Sequence, residues 1–93
     1  MLNTNNMSEL KKLIQQMDEL KARRNSLCAQ ISHLSIHLQN NYHDRQEVRE
    51  TEELIEEYEN KLTNVEQEIR GLYVKIETLR AVVVANNPKD NGR

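Results

Sequence analysis

Apolar residues recur at alternating three- and four-residue intervals along two stretches of the chain, and this spacing defines two heptad runs. In the first, the a positions are Leu10, Met17, Arg24, Ile31 and Leu38, and the d positions are Leu13, Leu20, Leu27, Leu34 and Asn41. In the second, Val48, Ile55, Leu62, Ile69, Ile76 and Val83 stand at a, with Thr51, Tyr58, Val65, Leu72 and Leu79 at d. A sustained seven-residue apolar repeat keeps one seam of a helix facing a partner helix, the signature of a coiled coil.

The two runs are out of phase. Continuing the first would put a at Arg45 and Glu52, whereas the second has it at Val48 and Ile55. The slip falls between Gln39 and Glu47, where Tyr42 is the only apolar residue. Asn40 and Asn41 suit a helix C-terminus, because Asn tolerates the left-handed conformation found there. Asp44 stands three residues before Glu47 and reads as an N-cap with a capping-box partner; Asn6 and Glu9 repeat the pattern upstream. The pattern therefore predicts a flexible N-terminus over 1–6, a first helix over 7–40, a turn at 41–44 and a second helix over 45–85. Asn86-Asn87-Pro88 stops the second helix, and 86–93 is expected to be a disordered tail.

The fold class these elements imply is all-α: an antiparallel two-helix coiled-coil hairpin, able to dimerise into a four-helix bundle. An antiparallel pair requires the a residues of one helix to meet the d residues of the other. Pairing residues whose numbers sum to 89 does this throughout, giving layers such as Leu13/Ile76, Leu27/Leu62 and Arg24/Val65. At the edges the same register sets Lys21 opposite Glu66, Arg23 opposite Glu68 and Ile14 opposite Tyr73. Lys21, Arg23, Arg24, Glu66 and Glu68 are therefore the candidate register-setting residues. The alternative is a continuous rod of about 110 Å dimerising in parallel. It would bring Lys61 against Glu66, which attracts, but Lys75 against Arg80, which repels.

Composition narrows the picture further. The 93 residues include no Trp or Phe and are 37% hydrophobic, which is poor provision for a compact globule. Both glycines and the single proline fall at or beyond position 71, so no strong helix breaker interrupts the preceding heptads. The net charge of −2 gives no global basic balance for nucleic acid. Cys28 is the only cysteine, which excludes an intramolecular disulfide and fits a reducing compartment. There is no apolar run of membrane-spanning length and no secretory-type N-terminus, so a cytoplasmic location is expected.

Candidate chemistry is sparse. His33 and His37 have the four-residue spacing that can seat two imidazoles on one metal, with Cys28 and His43 nearby. Their heptad positions scatter them around the helix, so they read as solvated surface residues, and no metal, cofactor or catalytic residue is expected. Residues 44–59 hold eight acids and two arginines. Glu52, Glu53, Glu56 and Glu57 from this run form a candidate docking patch. Ile36, Leu54, Val74 and Val82 lie outside the seam and are candidates for packing a second hairpin or a partner. The function expected is a non-catalytic protein–protein interaction module, such as an adaptor, small chaperone, assembly factor or inhibitor, that forms a homodimer. The alternative is a nucleic-acid-associated helical regulator using the basic face of helix 1, formed by Lys11, Lys12, Lys21, Arg23 and Arg24.

Overall fold

The computed structural model describes residues 2–85, with side chains from residue 5 onward. Two helices make up the fold: α1 (Leu2–Asn40) and α2 (Arg45–Ala85). They pack against each other as an antiparallel hairpin of 68 × 19 × 15 Å. A helix of 41 residues at about 1.5 Å per residue is itself about 60 Å long. The long dimension is therefore that of two helices side by side, not of a single rod.

The heptad reading and the observed burial coincide. Leu10, Leu13, Met17 and Leu27 of α1, and Thr51, Val65, Leu72 and Ile76 of α2, are buried. The remaining a and d residues, Arg24 and Asn41 included, are half-buried. Fully burying a side chain of this kind contributes roughly 1.5–3 kcal/mol, and that seam is what holds two otherwise solvated helices together. Val65, the layer partner expected for Arg24, is only 3% exposed. A cation in the seam thus leaves its layer closed, as a long aliphatic stem does when it lies across a neighbour and carries its charge to the rim.

The core is uneven along the hairpin. At the open end Leu10, Leu13 and Met17 pack with Leu72 and Ile76, and Leu20, Ile69, Leu79 and Val83 close around them. Toward the turn only Leu27 and Thr51 are buried. Ile31, Leu34, Leu38, Val48, Ile55, Tyr58 and Leu62 there remain half-exposed. The side chains of α1 flanking that stretch are small, Ser26, Ala29, Ser32 and Ser35, and cover little of the seam.

One boundary differs from the sequence expectation. α1 begins at Leu2, upstream of the expected start at Met7, so Asn6 sits inside the helix instead of capping it. Nothing in Leu2–Asn6 breaks a helix, and Asn6 falls on a d position of the seam, where it is half-buried. The expected tail over 86–93 lies outside the described residues.

The turn occupies the expected place and is built differently. No non-glycine residue among those described has a positive φ, so Asn41 does not take the left-handed cap conformation. Its side chain instead closes α1, donating from Nδ2 to the His37 carbonyl at 2.9 Å. Asp44 caps α2 as expected, its Oδ1 accepting from the Glu47 amide at 3.2 Å. Glu47 does not complete the capping box. The Asp44 amide donates to the Asn41 carbonyl at 3.2 Å, and the Glu47 side chain turns toward His37.

Candidate interaction surfaces

Two edges flank the seam, and each carries grooves whose character follows from the residues at the heptad e and g positions. On the e edge near the open end, Ile14 and Tyr73 border one groove, with Lys21 and Arg80 at its ends. This is the meeting of Ile14 with Tyr73 that the register predicts. Tyr73 keeps 57% of its surface exposed and Ile14 37%, and the acids Asp18 and Glu77 line the same groove, Glu77 pairing with Arg80 at 3.3 Å.

On the g edge of the same half, Arg23 and Glu68 border a groove with Gln16, Glu19 and Leu20. They are neighbours, as the register places them, without touching. The ion pairs within 4.0 Å among the described residues are His37–Glu47, Lys61–Glu57 and Arg80–Glu77. Lys21, Arg23, Arg24, Glu66 and Glu68 take part in none of these pairs.

Farther toward the turn the g edge opens into a groove of about 390 Å³. Ser26, Ala29, Gln30 and His33 form its α1 wall, Leu54 and Tyr58 form its α2 wall, and Leu34 lies at its floor. No Lys, Arg, Asp or Glu occurs in α1 between residues 25 and 40, so one wall is free of fixed charge. The other is acidic at its rim. Glu50, Glu53 and Glu57 lie three or four residues from Leu54 or one residue before it, all exposed. Lys61 sits at the proximal end, 5.3 Å over the Tyr58 ring and 3.5 Å from Glu57, which matches its charge.

The expected interaction residues do not form one patch. Ile36 and Leu54 are 57% and 42% exposed in the distal half, but on different helices and at different heptad positions. Val74 and Val82, 62% and 40% exposed, belong to the proximal half of α2. Glu52, Glu53, Glu56 and Glu57 are all exposed on the distal half of α2, on both sides of the seam edge. Tyr42, at the turn, is the most exposed large apolar side chain among the described residues, at 65%. Sequence reasoning did not bring out the distal groove, because none of its α1 wall residues is apolar enough to mark a surface. The signal available was the run of small and uncharged residues after Arg24.

The histidines divide. His33 lines the distal groove. His37 keeps 41% of its side chain exposed and is held at the turn, with Nε2 2.6 Å from Glu47 Oε2 and Nδ1 3.2 Å from Asn41 Nδ2. Cys28 is exposed. No three His, Cys, Asp or Glu side chains among the described residues are placed to share a metal ion. No described helix is long and apolar enough to cross a membrane.

Residues 5–79 match the sequence profile of the seryl-tRNA synthetase N-terminal domain, itself a helical coiled-coil hairpin. No curated protein and no solved structure matches the chain.

Proposed function

The chain belongs to the seryl-tRNA synthetase N-terminal domain family, and from that membership and its surface we propose that it is a non-catalytic coiled-coil arm that binds another protein in the cytoplasm. The observation that carries this reading is the segregation of charge and apolar surface along the hairpin. The distal half of α2 is strongly acidic, with eight acids against two arginines over residues 44–59. It lies beside a stretch of α1 without Lys or Arg, together with exposed Leu54 and Tyr42. Such a surface repels a phosphate backbone and suits a protein that brings basic and apolar groups. An adaptor, assembly factor, small chaperone or inhibitor would use it in the same way. Homodimerisation through the exposed apolar residues of the proximal half, Val74, Val82 and Tyr73, belongs to the same reading.

A second reading draws on the family itself, which is named for an enzyme that acts on tRNA. Lys11, Lys12, Lys21, Arg23 and Arg24 all lie in α1 before residue 25, where a nucleic acid could lie without meeting the acidic tip. The two readings separate in one experiment. The tagged chain, a distal variant with Glu53→Lys and Glu57→Lys, and a proximal variant with Lys21→Glu and Arg23→Glu are used for affinity capture at low and high salt. Protein retained by the parent chain and lost from the distal variant supports the proposal. RNA retained at low salt, released at high salt and lost from the proximal variant establishes the second reading instead. Turnover of a small molecule by the purified chain would overturn both.

A further inference from the structure

We infer that the distal g-edge groove is a docking site for an amphipathic helix with basic flanks, laid along the hairpin as a third helix. The inference rests on the reading of the chain as a protein-binding arm and specifies its partner's chemistry. Three independent features converge on this one place. The seam beneath it is thinly covered: Leu34, Ile55 and Tyr58 are half-exposed, whereas Leu10, Leu13, Met17, Leu72 and Ile76 form a buried cluster at the open end. Its α1 wall is made of small or neutral side chains, among them Ser26 and Ala29, which allow a helix backbone to approach closely and leave no charge to desolvate. Its α2 rim carries Glu50, Glu53 and Glu57 beside exposed Leu54.

A helix seated there would cover Leu34, Leu54 and Tyr58 with apolar residues spaced i, i+3, i+4 and i+7. It would hold Lys or Arg on the flank facing α2, where the acids stand, and could be neutral on the flank facing α1. Charge complementarity excludes an acidic helix from the same groove, because its carboxylates would meet the glutamate rim. The bound state is a three-helix bundle over the distal half, completing the core that two helices leave thin.

The test uses three fluorescein-labelled helical peptides and the full chain. The first has leucines at i, i+3, i+4 and i+7 with lysines on one flank. The second replaces each lysine with glutamate, and the third keeps the lysines and replaces each leucine with serine. The expected result is saturable binding of the first peptide, with the second and third weaker by roughly tenfold or more. Amide chemical shifts should move at Ala29, His33 and Leu54. Ala29→Arg, which places bulk and positive charge on the exposed α1 wall, should weaken the first peptide by a similar factor while circular dichroism stays unchanged. Glu53→Lys provides the same test from the other wall.

Equal affinity for the lysine and glutamate peptides, shifts confined to the Ile14–Tyr73 groove, or no saturable binding would overturn the inference. So would a second copy of the chain occupying the groove, seen as concentration-dependent shifts at the same residues without peptide. In any of these cases capture of protein by the parent chain, lost in the distal variant, would leave the broader reading of a binding arm standing.

Discussion

His37 Nε2 lies 2.6 Å from Glu47 Oε2, joining the last turn of α1 to the first turn of α2 across the bend. In one continuous helix these residues would stand about 15 Å apart along the axis, so the contact exists only because the chain reverses. Asn41 supports it from below, its Nδ2 reaching both the His37 carbonyl and Nδ1. With Asn41 donating to Nδ1, the neutral ring would carry its proton on Nε2 and donate it to Glu47.

Removing this link should loosen the tip more than the protein as a whole. Both side chains are about two-fifths exposed, at 41% and 42%, so Glu47→Ala is expected to cost only about 0.5–1 kcal/mol of global stability. Amide hydrogen exchange at residues 41–44 should accelerate in Glu47→Ala and in His37→Ala, with little change at Leu72 or Ile76. The double variant should add nothing beyond either single one. Exchange at the tip that is unchanged in both single variants would show that the Asp44 cap and the Asn41 bonds hold the turn alone.

Gly71 offers a gain in stability. It lies inside α2 with no positive φ, and a Cβ built there meets nothing within 4 Å. Glycine in a helix interior costs about 0.5–1 kcal/mol relative to alanine, through the freedom of the unfolded chain. Gly71→Ala should therefore raise the unfolding free energy by about that amount and the thermal midpoint by a few degrees. A denaturation midpoint equal to or below that of the parent chain would mean that another surface of the folded assembly packs against residue 71.

Burial contrasts supply a third outcome. Val65 is 3% exposed in the seam, and Val74 is 62% exposed outside it, nine residues along the same helix. Val65→Ala should destabilise by about 1–3 kcal/mol, and Val74→Ala by less than about 0.5 kcal/mol in a monomer. If Val74→Ala lowers the midpoint at high protein concentration and leaves it unchanged at low concentration, Val74 lies in a self-association interface.

Much of the fold was legible because a coiled coil writes its core directly into residue spacing. Every a and d position from Leu10 to Val83 is buried or half-buried, and the phase slip around Tyr42 marked the turn. What the spacing could not convey was how polar side chains choose among near-equal partners. Glu47 had the position for a capping box and took the His37 contact; Asn41 had the composition of a left-handed cap and closed the helix with its side chain. The start of α1 was equally hidden, since Asn6 looks like a cap yet continues the seam. The distal groove escaped notice for a different reason: it is defined by what Ser26 and Ala29 fail to cover, and a pattern of apolar residues does not register missing bulk.

Arg24 gives the strictest test of how orientation and register are held. It is half-buried at an a position, its expected layer partner Val65 is closed to solvent, and Arg23 and Glu68 border a groove at its edge. A polar residue in one layer of a coiled coil lowers stability but penalises every register that would bury its charge without a way to the rim. Arg24→Leu should therefore raise the thermal midpoint while weakening the choice of register. The readout is a cysteine pair at Leu27 and Leu62, neighbours in the expected layer, in a chain whose exposed Cys28 is replaced by Ala. With Arg24 present, oxidation at low concentration should give a fast-migrating cross-linked monomer almost alone, because facing core positions bring the Cβ atoms toward the roughly 3.5–4.5 Å that a disulfide spans. With Leu at 24, the monomer cross-link should fall and covalent dimers should appear, as slipped and intermolecular pairings become nearly as stable as the hairpin. A midpoint that rises with no change in the cross-linking pattern would show that the turn at Asn41–Asp44 sets the register unaided and that Arg24 contributes nothing to it.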